Sequence, residues 1–266
     1  TRSLKGKNYF VLETEAQGFA QWVSFDGQLR LQAFSHVAGG ANLVEYWHWH
    51  SIHNSFETYW KGVLSHDLKE NRTYREVCSI GADFDRLGEK LVNLQKKNRA
   101  AILISNESLS AIDAFPIGAG GDGVDYSSGK HYNDVFRWCY DALYRMNIET
   151  DILFPENVRE RARDYELIVV PALYSAPEEV LAALRDFVAA GGRLAVSFKS
   201  GFTNEQVKVY THEQPSILSD CLGIRYDQFT VPRDGKIKGL GLTGEAAKIH
   251  DWMELVETRG AKVLAS

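Results

Sequence analysis

The chain has 266 residues, 44% of them hydrophobic and 24% charged, with a formal net charge of −5. That composition fits a globular chain of one large domain or two smaller ones. The acidic balance, with no lysine/arginine run, argues against nucleic acid or an anionic membrane as a partner.

Residues 1 to about 70 alternate strand and helix. Tyr9–Leu12 reads as a buried strand, followed by two glutamates, Glu13 and Glu15, and a loop at Gly18. A helix is expected over residues 28–39, with Leu29, Phe34 and Val37 at helical spacing and Gly39-Gly40 as its stop. A second strand, Leu43–Trp49 within "NLVEYWHWH", alternates and is rich in strand-forming aromatics. Another helix is expected from about Phe56. Strand–helix–strand–helix is the repeat of a parallel α/β sheet or barrel, yet two such units cannot close an eight-stranded barrel. The chain begins at Thr1, apparently mid-fold, so it reads as part of a longer polypeptide.

A linking helix over residues 73–99 carries Ile80, Phe84, Leu87, Leu91 and Leu94 as its apolar stripe. From Ala100 a second α/β unit follows, over residues 100–266. "AAILIS" is a buried strand, and "HYNDVFRWCYDALYRMNI" an amphipathic helix on Val135, Trp138, Ala142 and Met146. "DILF" is a strand, and "YELIVVPALY" a continuous apolar strand of the kind buried on both faces. Ser175 and Glu178 have the spacing of a capping box for the next helix, which Gly191-Gly192 closes; "RLAVSF" is the fourth strand. The pattern is that of a doubly wound, flavodoxin-like or Rossmann-like domain.

Cys78, Cys139 and Cys221 are far apart and form no C-x-x-C, which predicts reduced, buried thiols in a cytoplasmic protein. No apolar stretch approaches the ~18 residues of a membrane span, and the N-terminus lacks the plan of a signal peptide. "GAGGDG", Gly118 to Gly123, resembles a dinucleotide fingerprint, but a dozen residues separate it from the strand it should follow. A surface loop is the expected reading. No phosphate loop is present, and no cofactor is expected.

The local density of tryptophan is the strongest clue, with Trp47, Trp49 and Trp60 inside one short stretch. His48, His50 and His53 follow H-x-H-x-x-H spacing, but no carboxylate or cysteine ligand completes a metal set. Polar lining of a sugar-sized pocket, or hydrogen-bonded packing, is the expected role. Sugars present apolar C–H faces that stack on tryptophan and hydroxyls that pair with carboxylates. Hydrolysis of a glycoside needs two carboxylates, ~5 Å apart when configuration is retained. A carboxylate at the C-terminal mouth of a barrel strand is where such a group would sit.

"YFVLETEAQ" followed by "YWHWHSIHNSFETYWKGVLSHD" resembles glycoside hydrolase family 42, bacterial β-galactosidases. "YELIVVPALYSAPEEVLAALRDFVAAGGRLAVSFKSGFTNE" resembles that family's central trimerisation domain. The resemblance covers essentially the whole chain. It implies the last two strand–helix units of a (β/α)8 TIM barrel, residues 1–72, then an α/β trimerisation domain, incomplete at its C-terminus, and a homotrimer acting on β-galactosides. It also implies Glu13 as nucleophile, Trp22 and Trp47 as sugar-site aromatics and Glu57 as the ligand of galactose hydroxyls. Many members carry histidine where this chain has Trp60, which is read as a substrate contact of altered character. Glu15 has no implied role. The implied acid/base, in an asparagine–glutamate pair, is expected upstream of Thr1; "SNES" at Ser105–Ser108 has the dipeptide but sits at the second unit's first strand.

Three functions remain open on the sequence: a retaining β-galactosidase, a non-catalytic oligomerisation module, and an α-L-arabinopyranosidase on the same fold.

Overall fold

The computed structural model describes residues 1–118, 130–232 and 234–266. The chain forms two compact units, Thr1–Lys97 and Asn98–Ser266.

The first unit opens with one helical turn, α1 (Arg2–Lys5), then runs β1 (Tyr9–Glu15), α2 (Gln28–Ala38), β2 (Ala41–Trp47) and α3 (Arg72–Leu91). β1 and β2 pair in parallel, the crossover being made by α2. Leu29 and Ala33 of α2 and Ile80 of α3 are its buried centre, with Tyr46, Val77 and Phe84 packed around them. The spacing of Leu29, Ala33 and Val37 puts all three on one helix face, and all three are buried. Phe34 meets Phe84 edge-on at 5.2 Å, and Arg30 pairs with Asp83 at 2.8 Å, so α3 lies on α2. α3 begins where Asn71 accepts the Tyr74 N–H on its side chain.

Three expectations change here. The first strand, paired among the described residues of this chain with β2 alone, leaves Phe10 and Leu12 61% and 66% exposed, and it continues through both glutamates. No helix starts at Phe56; residues 51–64 fold back as turns, Ser55 takes φ 66°, and a bridge joins His50 to Leu64. Phe56, Tyr59, Trp60 and Val63 have helical spacing, but Phe56 and Tyr59 are exposed, so no packed face exists to hold a helix. The helix read as a linker ends at Leu91 and packs inside the first unit.

The second unit contains β3 (Ala100–Leu103), α4 (Asn106–Ala114), α5 (Tyr132–Arg145), β4 (Thr150–Leu153), α6 (Val158–Arg161), β5 (Leu167–Val170), α7 (Glu178–Ala189) and β6 (Arg193–Val196). These four strands form one parallel sheet, in the order β4-β3-β5-β6. β3 lies inside the sheet and all four of its residues are buried. Ala101 and Leu103 join Ile168, Val170, Leu181, Leu184 and Phe187 in one core. Ile112, Ile117, Tyr132, Val135 and Ala172 make a second. Beyond residue 197 the chain forms short antiparallel pairings such as Ile224–Arg225 with Glu257–Thr258.

α4 has no counterpart among the predicted elements. Ser105 caps it by accepting the Ser108 N–H, so "SNES" is a helix start and not part of a strand. The long apolar run yields only four strand residues, because Pro171 follows and Ala172 turns to φ 36°. Ser175 does not cap α7; Pro177 holds that position without a side-chain cap, and the Ser175 hydroxyl donates to the Asn204 carbonyl. α5 is rotated from the expected stripe. Its buried residues are Tyr132, Val135 and Leu143, while Trp138 and Met146 are 47% and 68% exposed and Ala142 is exposed as well. The reason is Tyr132, whose buried hydroxyl accepts the Ser105 N–H and fixes which side looks inward.

Residues 119–123 of the glycine-rich stretch lie outside the described residues. In doubly wound sheets the crevice beyond the strand ends, where the strand order reverses, is the usual ligand site. Here, between β3 and β5, Ser108 donates its hydroxyl to the Ser175 carbonyl at 3.0 Å and accepts the Ser175 N–H at 3.1 Å, and both serines are buried. Cys139 and Cys221 are half-buried but Cys78 is exposed, and all three are free thiols. Among the described residues no helix is long and apolar enough to cross a membrane.

Candidate active site

The C-terminal ends of β1 and β2 lie side by side because the strands are parallel neighbours, with Thr14 opposite Tyr46 and Glu15 opposite Trp47. Tyr46 packs toward the helices, and Thr14 on the same face accepts the Gln32 amide of α2 at 2.8 Å. Glu15 and Trp47, one residue on in each strand, therefore face the opposite, open side.

The pairing is irregular between Val11 and Thr14: Val11 lies opposite Val44 and Thr14 opposite Tyr46. Leu12 and Glu13 thus share the place opposite Glu45, which is a β-bulge, a device that re-aims a side chain. Glu13 is exposed and Glu15 half-buried.

The loop over residues 51–64 closes onto these strand ends. The Trp60 indole N–H donates to Glu15 Oε2 at 3.1 Å, and the Trp60 ring lies 5.3 Å from that of Phe19. Gln17, buried, donates its amide to the Gly62 carbonyl, and Lys61 donates to the Trp22 carbonyl at 2.6 Å. The loop backbone pairs with the end of β2 through Val63 N–H to the His48 carbonyl and Leu64 N–H to the Trp49 carbonyl. That approach needs a glycine, since a Cβ on Gly62 would lie 2.6 Å from the His48 carbonyl oxygen. Trp22 is half-buried and lies so close over Gly18 that a Cβ there would sit 2.8 Å from the indole.

The sequence-predicted residues are therefore not all alike. Trp47 and Trp60 converge on Glu15, and Trp22 is tied to the same loop through Lys61. Glu57 belongs to that loop, its carbonyl accepting the Trp60 N–H. Glu13 sits two residues from Glu15 on the bulge. Sequence reasoning named Glu15 but gave it no role, and did not single out Phe19, Gln17 or Gly62. Only Glu15 left a trace there, as a second carboxylate at a strand end; the others act through long-range contacts that no local pattern announces.

His50, His53 and His66 bond to the backbone, whereas the buried Nε2 of His48 has no hydrogen-bond partner among the described residues. His50 Nδ1 lies 2.9 Å from the Ser51 carbonyl, His53 Nε2 2.7 Å from the His66 carbonyl, and His66 Nε2 2.7 Å from the Thr58 carbonyl. Among the described residues no group of three or more His, Cys, Asp or Glu is placed to hold a metal ion. Burial, and then the neighbouring His50, push the His48 imidazole below the usual histidine range, against an opposing pull from Glu57. A carboxylate pair bordered by indole rings is a chemistry suited to a sugar ring, with apolar faces to stack and hydroxyls to bond.

Comparison with known proteins points the same way. Residues 98–266 match the model of the β-galactosidase trimerisation domain, and residues 1–87 the β-galactosidase model, of glycoside hydrolase family 42. Over its whole length the chain is 28% identical to β-galactosidase BgaB of Geobacillus sp. (strain Y412MC61), covering 38% of it. It is 27% identical to β-galactosidase LacZ of Heyndrickxia coagulans, covering 39%. Among solved structures, the cold-adapted β-galactosidase from Rahnella sp. R3 superposes with a TM-score of 0.83 at 26% identity, over 99% of this chain and 39% of that one. Gan42B, described as a family 42 β-galactosidase, superposes at 0.85 with 23% identity, over 99% of this chain and 38% of that one, a likeness of fold. The chain thus spans about two fifths of the length of these relatives. With both of its units accounted for by models of one family, the chain belongs to the glycoside hydrolase family 42 β-galactosidases.

Proposed function

We propose that the chain is part of a retaining β-galactosidase that removes terminal β-D-galactosyl residues from oligosaccharides. In this reading β1 and β2 are the last two strands of a (β/α)8 barrel, and the second unit is the trimerisation domain of a homotrimer. Three free cysteines suit a reducing, cytoplasmic setting. The observation that carries the reading is the bulge that sets exposed Glu13 beside a strand end where Glu15, Trp47 and Trp60 meet.

Glu13 is the nucleophile: its carboxylate attacks the anomeric carbon as the glycosidic bond breaks, giving a galactosyl ester that water then hydrolyses. Trp22, Trp47 and Trp60 offer apolar rings to the sugar, and Glu57 bonds its hydroxyls. The partner acid, which protonates the leaving oxygen and later activates water, is assigned to no residue of this chain. Its expected place is the additional length that the relatives possess. No observation favours a non-catalytic module or an arabinopyranosidase.

The test is to trap the full-length polypeptide with a 2-fluoro-galactoside and map the labelled peptide. The expected label is on Glu13. A label on Glu15 or Glu57, with Glu13 clean, overturns the assignment.

A further inference from the structure

We infer that Glu15 is a positioning residue that holds Trp60 by its only hydrogen-bond donor, so that Trp60 meets the sugar with its ring alone. The inference rests on the sugar-site reading above, and adds to it a role for a carboxylate that none of the family motifs assigns.

An indole has one polar hydrogen and no acceptor. In Trp60 that hydrogen is directed to Glu15 Oε2 at 3.1 Å, across forty-five residues of sequence. The carboxylate faces the open side of the sheet because Glu15 pairs with Trp47 and not with Tyr46. Phe19 then fixes the tilt of the ring, 5.3 Å away at 57°, and itself meets Tyr59 edge-on at 6.2 Å. One hydrogen bond and one ring contact set both the direction and the rotation of the Trp60 plane.

The bond does not hold the loop in place. The same loop is anchored by Gln17 on the Gly62 carbonyl, by Lys61 on the Trp22 carbonyl, and by its backbone pairing with residues 48–51. Loss of the Glu15 carboxylate therefore leaves the chain path intact and releases one ring. With its donor occupied, Trp60 recognises by shape and C–H stacking, which tolerates changes of hydroxyl pattern better than a polar wall does. Glu15 and Trp60 thus act as one element that sets how firmly, and how selectively, the sugar is held.

The experiment uses the full-length polypeptide labelled with 5-fluorotryptophan, the Trp60 fluorine line being identified by its loss in Trp60→Phe. Glu15→Ala should move or broaden that line, and Glu15→Gln, which keeps an acceptor oxygen, should largely preserve it. With a nitrophenyl β-galactoside, Glu15→Ala should raise KM about tenfold with kcat within about threefold. Glu15→Gln should restore KM, and the effects of Glu15→Ala and Trp60→Phe should fail to add in the double variant. A Trp60 line unmoved in Glu15→Ala, or additive effects in the double variant, overturns the inference. So does a collapse of kcat without a change in KM, which would make Glu15 a reacting group. If the wild type hydrolyses no galactoside while the Trp60 line still responds to Glu15→Ala, the pairing stands and the β-galactosidase reading fails.

Discussion

The two units differ most in the size of the side chains they bury. In the second unit, large side chains such as Leu103, Leu153, Ile168, Leu181 and Leu184 are essentially inaccessible, arranged on a four-stranded sheet. In the first unit the buried apolar residues are Ala16, Leu29, Ala33, Val37, Ala41, Val63, Leu64 and Ile80, while Phe10, Leu12, Trp49, Phe56 and Tyr59 are exposed, as Trp138, Tyr144 and Met146 are in the second. The second unit is built on a four-stranded sheet and the first on a two-stranded one whose strand ends carry the glutamates. Because the second unit matches the trimerisation-domain model and the first the β-galactosidase model, the second is read as the structural half and the first as the chemical half.

Three measurements can break or sharpen that division. The largest effect is expected from Leu184→Ala, which removes a fully buried side chain from the second unit's core. It should cost ~2–5 kcal/mol of stability, seen as faster amide exchange throughout β3, β5 and α7, with activity per folded molecule unchanged. A loss of kcat in the folded fraction would show that the second unit is not merely structural. Next comes Glu57→Gln in the first unit. Removing a charge-assisted hydrogen bond to a hydroxyl should lower kcat/KM by ~1.5–3 kcal/mol, and by more if that bond tightens in the transition state, while the thermal midpoint holds. A fall in the midpoint with unchanged kinetics would make Glu57 a structural residue.

The smallest effect is a pH dependence confined to the first unit. His48 has its pKa lowered from the ordinary 6.5, burial being the main cause. Between its folded pKa and 6.5 the unfolded chain binds more protons, so stability rises with pH there. The His48 contribution is complete above pH 6.5 and is lost as pH falls from 6.5 through the folded value. His48→Gln should flatten that slope in the exchange of β2 amides and leave β3 and β5 amides untouched. A slope that persists in the variant assigns it to other groups.

Much of the framework was legible because it is written in local patterns. The four parallel strands of the second unit, α2 and α5 sit close to their predicted spans, since runs such as "AAIL" and "LIVV" and helices stopped by glycine are local signals. Apart from the strand that Pro171 cuts short, the errors come from competition by distant partners. The rotation of α5 depends on Tyr132 meeting Ser105, the failed cap at Ser175 on Asn204, and the missing helix at Phe56 on a loop that pairs with residues 48–51. The site was legible in kind, as tryptophans and glutamates at strand ends, but not in wiring. Sequence spacing placed Glu13 and Glu15 as equals. The family resemblance implied a role for Glu13 and none for Glu15; the strand pairing adds that one lies on a bulge and the other is joined to Trp60.

The bulge at Leu12–Glu13 acts as a phase shifter. In an unbroken strand Val11, Glu13 and Glu15 would share one face, the one on which Val11 lies opposite Val44. One extra residue lets Val11 and Thr14 both line up with the helix-facing positions Val44 and Tyr46, while Glu15 returns to the open side with Trp47. Thr14 is tied to the helix through Gln32, and the two carboxylates, Glu13 and Glu15, stand on either side of it. A single-residue deletion there would do more than shorten the strand. It would restore regular pairing between Val11 and Thr14, leave Glu15 opposite Trp47, and so remove the re-aimed position of Glu13 without disturbing the register downstream.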